Sequence, residues 1–254
     1  MSARTMKGPQ PFVVLGSQRS GSTMLCYALD SHPDIYCDRT EPTHRFHPLR
    51  RFGVTDADTV RLSLTVHGYQ ASGGKIMDNQ LLMLPEVPEV LLEHRVRVIR
   101  LTRNKVRQAV SILVDGAAKA AHLHVPKASF GRVPPHTVAL APEAVVKQYR
   151  DFAYWQRWVD AWLEWSGLDS KPLSYEQLVG DQTEIDELPP EIAESLCAFL
   201  GVSSRPLEVP LRRINLQPLP ELVSNWAEVC IALRNEGVIP PDDLAPTEGG
   251  AWTI

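Results

Sequence analysis

The chain has 254 residues, 44% of them apolar, and a formal charge of −4, which suits one large α/β domain with a sizeable core. So small a negative charge sets up no field that would gather DNA, RNA or anionic lipid, so bulk charge predicts no polymer partner and an anionic ligand must be held by local cations. Cys26, Cys37, Cys197 and Cys230 form no CxxC pair and fall among periodic apolar segments, the distribution of reduced structural thiols rather than of a disulfide or zinc framework.

Residues 1–10 form a polar leader, expected to be flexible, without the apolar run of a signal peptide. No later stretch is long enough to span a bilayer, so the expected location is the cytoplasm. Phe12-Val13-Val14-Leu15 is a short apolar run stopping at Gly16, the pattern of a parallel strand buried on both faces, and Thr23–Ser31 reads as a helix. His32–Phe52, rich in Pro, His and Arg, predicts a loop over the C-terminal edge of the sheet.

A helix over Asp58–His67, a strand over Gly74–Met77 and a helix over Val87–Glu93 lead into Arg97-Val98-Ile99-Arg100-Leu101, whose alternation predicts another strand. Arg95, Arg97, Arg100 and Arg107 crowd this region and read mostly as solvated surface. Lys105–Lys119 has helical spacing, which places Arg103 where a strand turns into a helix. The Pro- and Gly-containing stretch 126–142 is either a lid or a disordered excursion. Pro142–Leu163 is a helix whose stripe, including Trp155, Trp158 and Trp162, suits core packing, with a sugar-stacking platform as the alternative. A strand at Pro172–Ser174 and helices at Pro190–Leu200 and Leu219–Glu236 follow. Residues 240–254 form a flexible tail, leaving 11–239 as one domain of three layers, a central parallel sheet flanked by helices.

Gly16-Ser17-Gln18-Arg19-Ser20-Gly21-Ser22-Thr23 has the spacing of G-x-x-x-x-G-K-S/T, with Ser22 where nucleotide-triphosphate loops carry lysine. Backbone N–H groups and the start of a helix remain for an anion, and Arg19 supplies the cation. A triphosphate becomes a poor fit. At these residues the chain resembles the carbohydrate and bacterial branches of the sulfotransferases that use 3'-phosphoadenosine-5'-phosphosulfate (PAPS). The resemblance implies that Gln18, Arg19, Ser20, Gly21, Ser22 and Thr23 surround the 5'-phosphosulfate, with Arg19 offsetting charge on the bridging oxygen. It also implies that Arg103 and Ser111, two helical turns further on, hold the 3'-phosphate through a planar guanidinium fork and a hydroxyl. Tyr175, in a Tyr-Glu-x-Leu-like element, would approach the adenine, and Arg213 would belong to a loop closing over the nucleotide.

An acceptor alcohol must lose its proton as it attacks sulfur, which calls for a base. By the same resemblance Glu41, in Thr40-Glu41-Pro42-Thr43-His44, is the base, with His44 and His32 as alternatives because imidazole titrates near neutrality. Lys75, in Gly74-Lys75-Ile76-Met77-Asp78-Asn79-Gln80, would stabilise charge on the sulfuryl oxygens. Arginine and lysine would suffice without a metal, and the bisphosphate PAP would be the product. The expected acceptor is the hydroxyl or amine of a small molecule, sugar or glycolipid head group, with an oligomer left open. The rivals are a kinase, which should show Gly-Lys-Ser/Thr and a strand-end Asp for Mg²⁺, and a nucleotide-binding module without turnover.

Overall fold

A computed structural model describes residues 8–44, 47–120, 137–180, 185–211 and 218–240. The elements in chain order are β1 (Gln10–Gly16), α1 (Ser22–Asp30), β2 (Ile35–Asp38), a 3₁₀ turn (Pro48–Phe52), α2 (Asp56–Leu64), β3 (Ala71–Met77), α3 (Asp78–Met83), α4 (Glu86–Glu93) and β4 (Arg97–Thr102). Then follow α5 (Lys105–Ala120), α6 (Pro142–Ser166), β5 (Ser170–Ser174), α7 (Tyr175–Val179), α8 (Pro190–Leu200), α9 (Leu219–Leu222) and α10 (Trp226–Asn235). The described residues of Met1–Thr102 and Trp155–Arg212 make one compact unit, and those of Arg103–Tyr154 and Arg213–Ile254 a second.

The first unit is built on a five-stranded sheet in the order β2-β3-β1-β4-β5, every pair parallel. β1 is its middle strand, so both of its faces must be apolar, and this accounts for the unbroken Phe12–Leu15 run. Phe12 and Val14 point to one face, under α1 and α8, where Leu25, Leu29, Leu196 and Leu200 complete a core. Val13 and Leu15 point to the other, under α2, α4 and the C-terminal part of α6, where Val60, Leu64, Val90, Leu91, Val159 and Trp162 complete a second. Two cores on one sheet make the three layers expected from the sequence. All four cysteines are free and buried.

Register decides where two buried cations go. Lys75 pairs with Val14 across β3 and β1, and Arg100 pairs with Leu15 across β4 and β1. Partners in a parallel ladder share a face, so Lys75 emerges on the α1 face and Arg100 on the α6 face. Both are buried. The reading of Arg100 as solvated surface is therefore corrected: β4 lies between β1 and β5, and helices cover both sides of the sheet.

Other differences have local causes. The stretch expected to be loop contains β2, an edge strand of four residues whose Ile35 and Cys37 alternate inward. It is too short to stand out between Pro33 and the polar segment after it. The helix expected over Leu219–Glu236 is broken between α9 and α10, in the second unit. There Val223 bridges Val138, while Asn225 donates Nδ2–H to the Leu140 carbonyl at 2.8 Å and accepts the Leu140 N–H at 3.0 Å. A side-chain amide thus imitates a strand partner, which a continuous helix would forbid.

Candidate functional site

The phosphate-binding-type loop leaves β1 at Gly16. The Ser20 N–H donates to the Ser17 carbonyl at 3.2 Å, closing a tight turn whose third residue, Arg19, has φ +63°. A left-handed non-glycine residue costs on the order of 1 kcal/mol or more and persists only where its surroundings impose it. Gly21 follows at φ 93° and ψ 7° as the N-cap of α1, and no side chain caps that helix. The N–H groups of its first turn are thus not taken by a capping side chain. Glycine is required at 21 on two counts: the positive φ, and the Tyr175 ring, against which an added Cβ would collide. The Ser20 hydroxyl is buried with no hydrogen-bond partner among the described residues, which leaves it open to a water or a polar ligand.

Beside the loop, Lys75 Nζ donates to Thr23 Oγ1 at 2.8 Å, a contact made possible because Lys75 and α1 share one face of the sheet. The same ammonium lies 3.7 Å from Glu41 Oε1, and Gln80 Nε2 donates to Glu41 Oε2 at 2.9 Å. Gln80 is itself held by the Met77 N–H, which donates to Oε1 at 2.8 Å. The loop carrying Glu41 approaches β3 closely because Gly74 has no side chain: a Cβ there would come within 3.2 Å of Asp38 Cβ and Pro42 Cγ. Glu41 and Lys75, separated in sequence, thereby meet at the C-terminal end of β3.

The histidines divide by role. His44 lies one turn past Glu41, its N–H donating to the Glu41 carbonyl at 2.8 Å. His32 has both ring nitrogens engaged, with the Ser203 carbonyl at 2.9 Å and the Asp34 N–H at 3.0 Å, and acts as a structural bridge. His47 is buried against Asp38, 3.4 Å away.

Below the loop lies a charged network that the sequence reading missed. Ser17 Oγ donates to Asp78 Oδ2 at 2.6 Å, and Arg100 Nη1 donates to Asp78 Oδ1 at 2.7 Å and to the Leu15 carbonyl at 3.3 Å. Arg100 Nε reaches Asp160 Oδ1 on α6 at 2.8 Å. Burial alone would lower the arginine pKa, but the Asp78 and Asp160 carboxylates more than offset it and hold the pKa above its ordinary value. The sequence signal was the strand alternation itself, which places Arg100 on the same face as Val98.

Among solved structures, the fold matches a sulfotransferase from Alicyclobacillus acidocaldarius with a TM-score of 0.52 over 91% of this chain and 96% of that one, at 17% identity. The chain has a sulfotransferase fold. The sulfotransferase domain of the curacin biosynthetic pathway aligns over 91% of this chain and 99% of its own, with a TM-score of 0.46 and 15% identity. No family model and no curated protein matches the sequence.

Within this sulfotransferase fold, the first unit brings together Arg19, Ser20, Gly21, Ser22, Thr23, Glu41, Lys75 and Tyr175, while Gln18 is exposed on the loop. Tyr175 is mostly buried in the α1-side core, with its ring on Gly21, so it props the loop. Arg103 follows β4 and Ser111 lies on α5; both are half-buried residues of the second unit. Arg213 and residues 126–136 of the expected lid lie outside the described residues. On α6 the apolar stripe is core, as expected: Trp162 is buried and Trp158 packs against it. Trp165 stands 74% exposed.

Proposed function

We propose that this chain is a PAPS-dependent sulfotransferase that moves a sulfuryl group to a hydroxyl or amine of a small-molecule, sugar or glycolipid acceptor. The observation that carries the proposal is the meeting of Lys75, Thr23 and Glu41 beside a loop with an uncapped helix start and an unsatisfied buried hydroxyl. Orphaned donors of this kind fit a phosphate or phosphosulfate. In this reading the donor supplies an activated sulfur whose bond to the bridging phosphate oxygen breaks, the electron pair leaving with PAP. The first turn of α1, with Gln18, Ser20, Gly21, Ser22 and Thr23, binds the 5' end, and Arg19 faces the leaving oxygen. Arg103 and Ser111 bind the 3'-phosphate, while Tyr175 and Arg213 border the nucleotide.

Lys75 spends one of its three N–H donors on Thr23 and offers the others to sulfuryl oxygens, where charge must be met as the bond breaks. Glu41 takes the acceptor's proton. Its Oε2 is fixed by Gln80, whereas Oε1 lies 3.7 Å from Lys75, longer than a hydrogen bond, and so retains lone pairs for a substrate O–H. His44, on the same turn, is the alternative base. A magnesium-dependent kinase would need a strand-end carboxylate with open oxygens. The residue in that place, Asp78, has Oδ1 on Arg100 and Oδ2 on Ser17, which argues against that rival, as does Ser22. The proposed setting is the cytoplasm; among the described residues no helix is long and apolar enough to cross a membrane.

The test is turnover of PAPS, followed as PAP release across a panel of alcohols, sugars and amines. Glu41→Gln should lower turnover by about 10²–10⁴-fold and Lys75→Ala by about 10²–10³-fold, with PAP affinity changed by no more than about threefold in either. Full turnover in both variants would remove the proposed mechanism. Loss of turnover in a His44→Ala variant but not in Glu41→Gln would transfer the base to His44.

A further inference from the structure

The chain of bonds Ser17–Asp78–Arg100–Asp160, buried at its first three members and exposed at Asp160, runs through neither Lys75 nor Glu41, and no step above uses it. It is also expensive. Asp78 and Arg100 are almost fully buried, and removing two charges from water is repaid only if geometry and hydrogen bonds are good. An apolar pair would fill such a position at less risk. What the ionic chain accomplishes is visible at its inner end, where Asp78 accepts the Ser17 hydroxyl at 2.6 Å.

Ser17 is the first residue of the turn that the Ser20 N–H closes. That turn holds Arg19 in its left-handed conformation and aims the buried Ser20 hydroxyl. Pinning Ser17 therefore fixes the direction in which the loop leaves β1. Each successive link removes freedom from the one before it. Asp78 stands at the junction of β3 and α3 with one oxygen on Ser17 and the other on Arg100. Arg100 is fixed in turn by Leu15 of β1 and by Asp160 of α6. The bonds run across three adjacent strands just beneath the loop.

We infer that Ser17, Asp78 and Arg100 are positioning residues that hold the anion-binding loop in its ligand-ready shape, so that binding the donor spends little on ordering the loop. The inference concerns the loop's shape; its consequence for PAP rests on the functional reading above. A preorganised loop binds more tightly than one ordered on contact, and a charge-assisted hydrogen bond is among the stronger ways to hold it.

Ser17→Ala tests this best, because it removes the link to the loop and leaves the Asp78–Arg100 pair intact, whereas Arg100 variants risk unfolding. Ser17→Thr keeps the hydroxyl and serves as the rescue. Two readouts apply to wild type and both variants: hydrogen–deuterium exchange of peptides covering residues 16–24, and calorimetric titration with PAP. Ser17→Ala should raise exchange in the loop by about tenfold with the β1 and β4 core peptides unchanged, and weaken PAP by about tenfold, while Ser17→Thr stays within about threefold of wild type. Unchanged loop exchange in Ser17→Ala, or a Ser17→Thr variant as loose as Ser17→Ala, would overturn the inference whatever PAP does. If wild type bound no PAP while Ser17→Ala still loosened the loop, the positioning role would stand and the donor assignment would fall.

Discussion

Arg19 shows at the scale of one residue how the site is set against stability. Its φ of +63° is a conformation that glycine adopts without penalty and arginine does not. Arg19→Gly should therefore leave the thermal midpoint equal to or above that of wild type, with strain relief of about 1 kcal/mol, while in the proposed function turnover falls by at least about tenfold because it assigns Arg19 as the cation at the leaving oxygen. Paired thermal melts and PAP-release assays check this; a lower midpoint with full turnover would contradict it. Lys75 and Glu41, which the structure brings within 3.7 Å of each other, were singled out in the sequence because each sits in a short segment that resembles the sulfotransferases. Arg100 was not. It stands among arginines that do reach solvent, and its burial depends on Asp78 and on Asp160 of α6, which becomes its partner only once the sheet has formed.

At the scale of elements, β1, its loop and α1 form one local unit, legible because an apolar run, a glycine-rich turn and a helix follow one another directly. The turn is locked from outside by α7, since Tyr175, the first residue of that helix, lays its ring on Gly21. Gly21→Ala combines a forbidden φ with a steric clash and should cost about 1–3 kcal/mol, lowering the chemical-denaturation midpoint and weakening PAP together. Unchanged stability would mean that the Tyr175–Gly21 contact is not the constraint described here. β2 and the break between α9 and α10 were illegible for a shared reason: each is decided by a distant partner. β2 is held as an edge strand by β3, and the break is held by Val138 and Leu140, pairings that helical periodicity around Leu219–Glu236 does not contain.

At the scale of the whole molecule, layering and charge point to the same kind of ligand. A sheet covered on both faces leaves its C-terminal edge as the place where polar groups collect, and in the first unit this edge carries the loop, Lys75 and Glu41. A net charge of −4 offers no long-range attraction to anions, so affinity must arise from these local contacts. The strand-helix alternation that predicted three layers was legible at β1, β3, β4 and β5; the proposed acceptor was not, because no motif in the chain encodes its shape. The most direct test of the central claim is calorimetric titration of wild type and Arg103→Ala with PAP in the absence of magnesium, beside ATP with and without magnesium. The account predicts micromolar, magnesium-independent PAP binding that Arg103→Ala abolishes. Magnesium-dependent ATP binding with no response to PAP would contradict it.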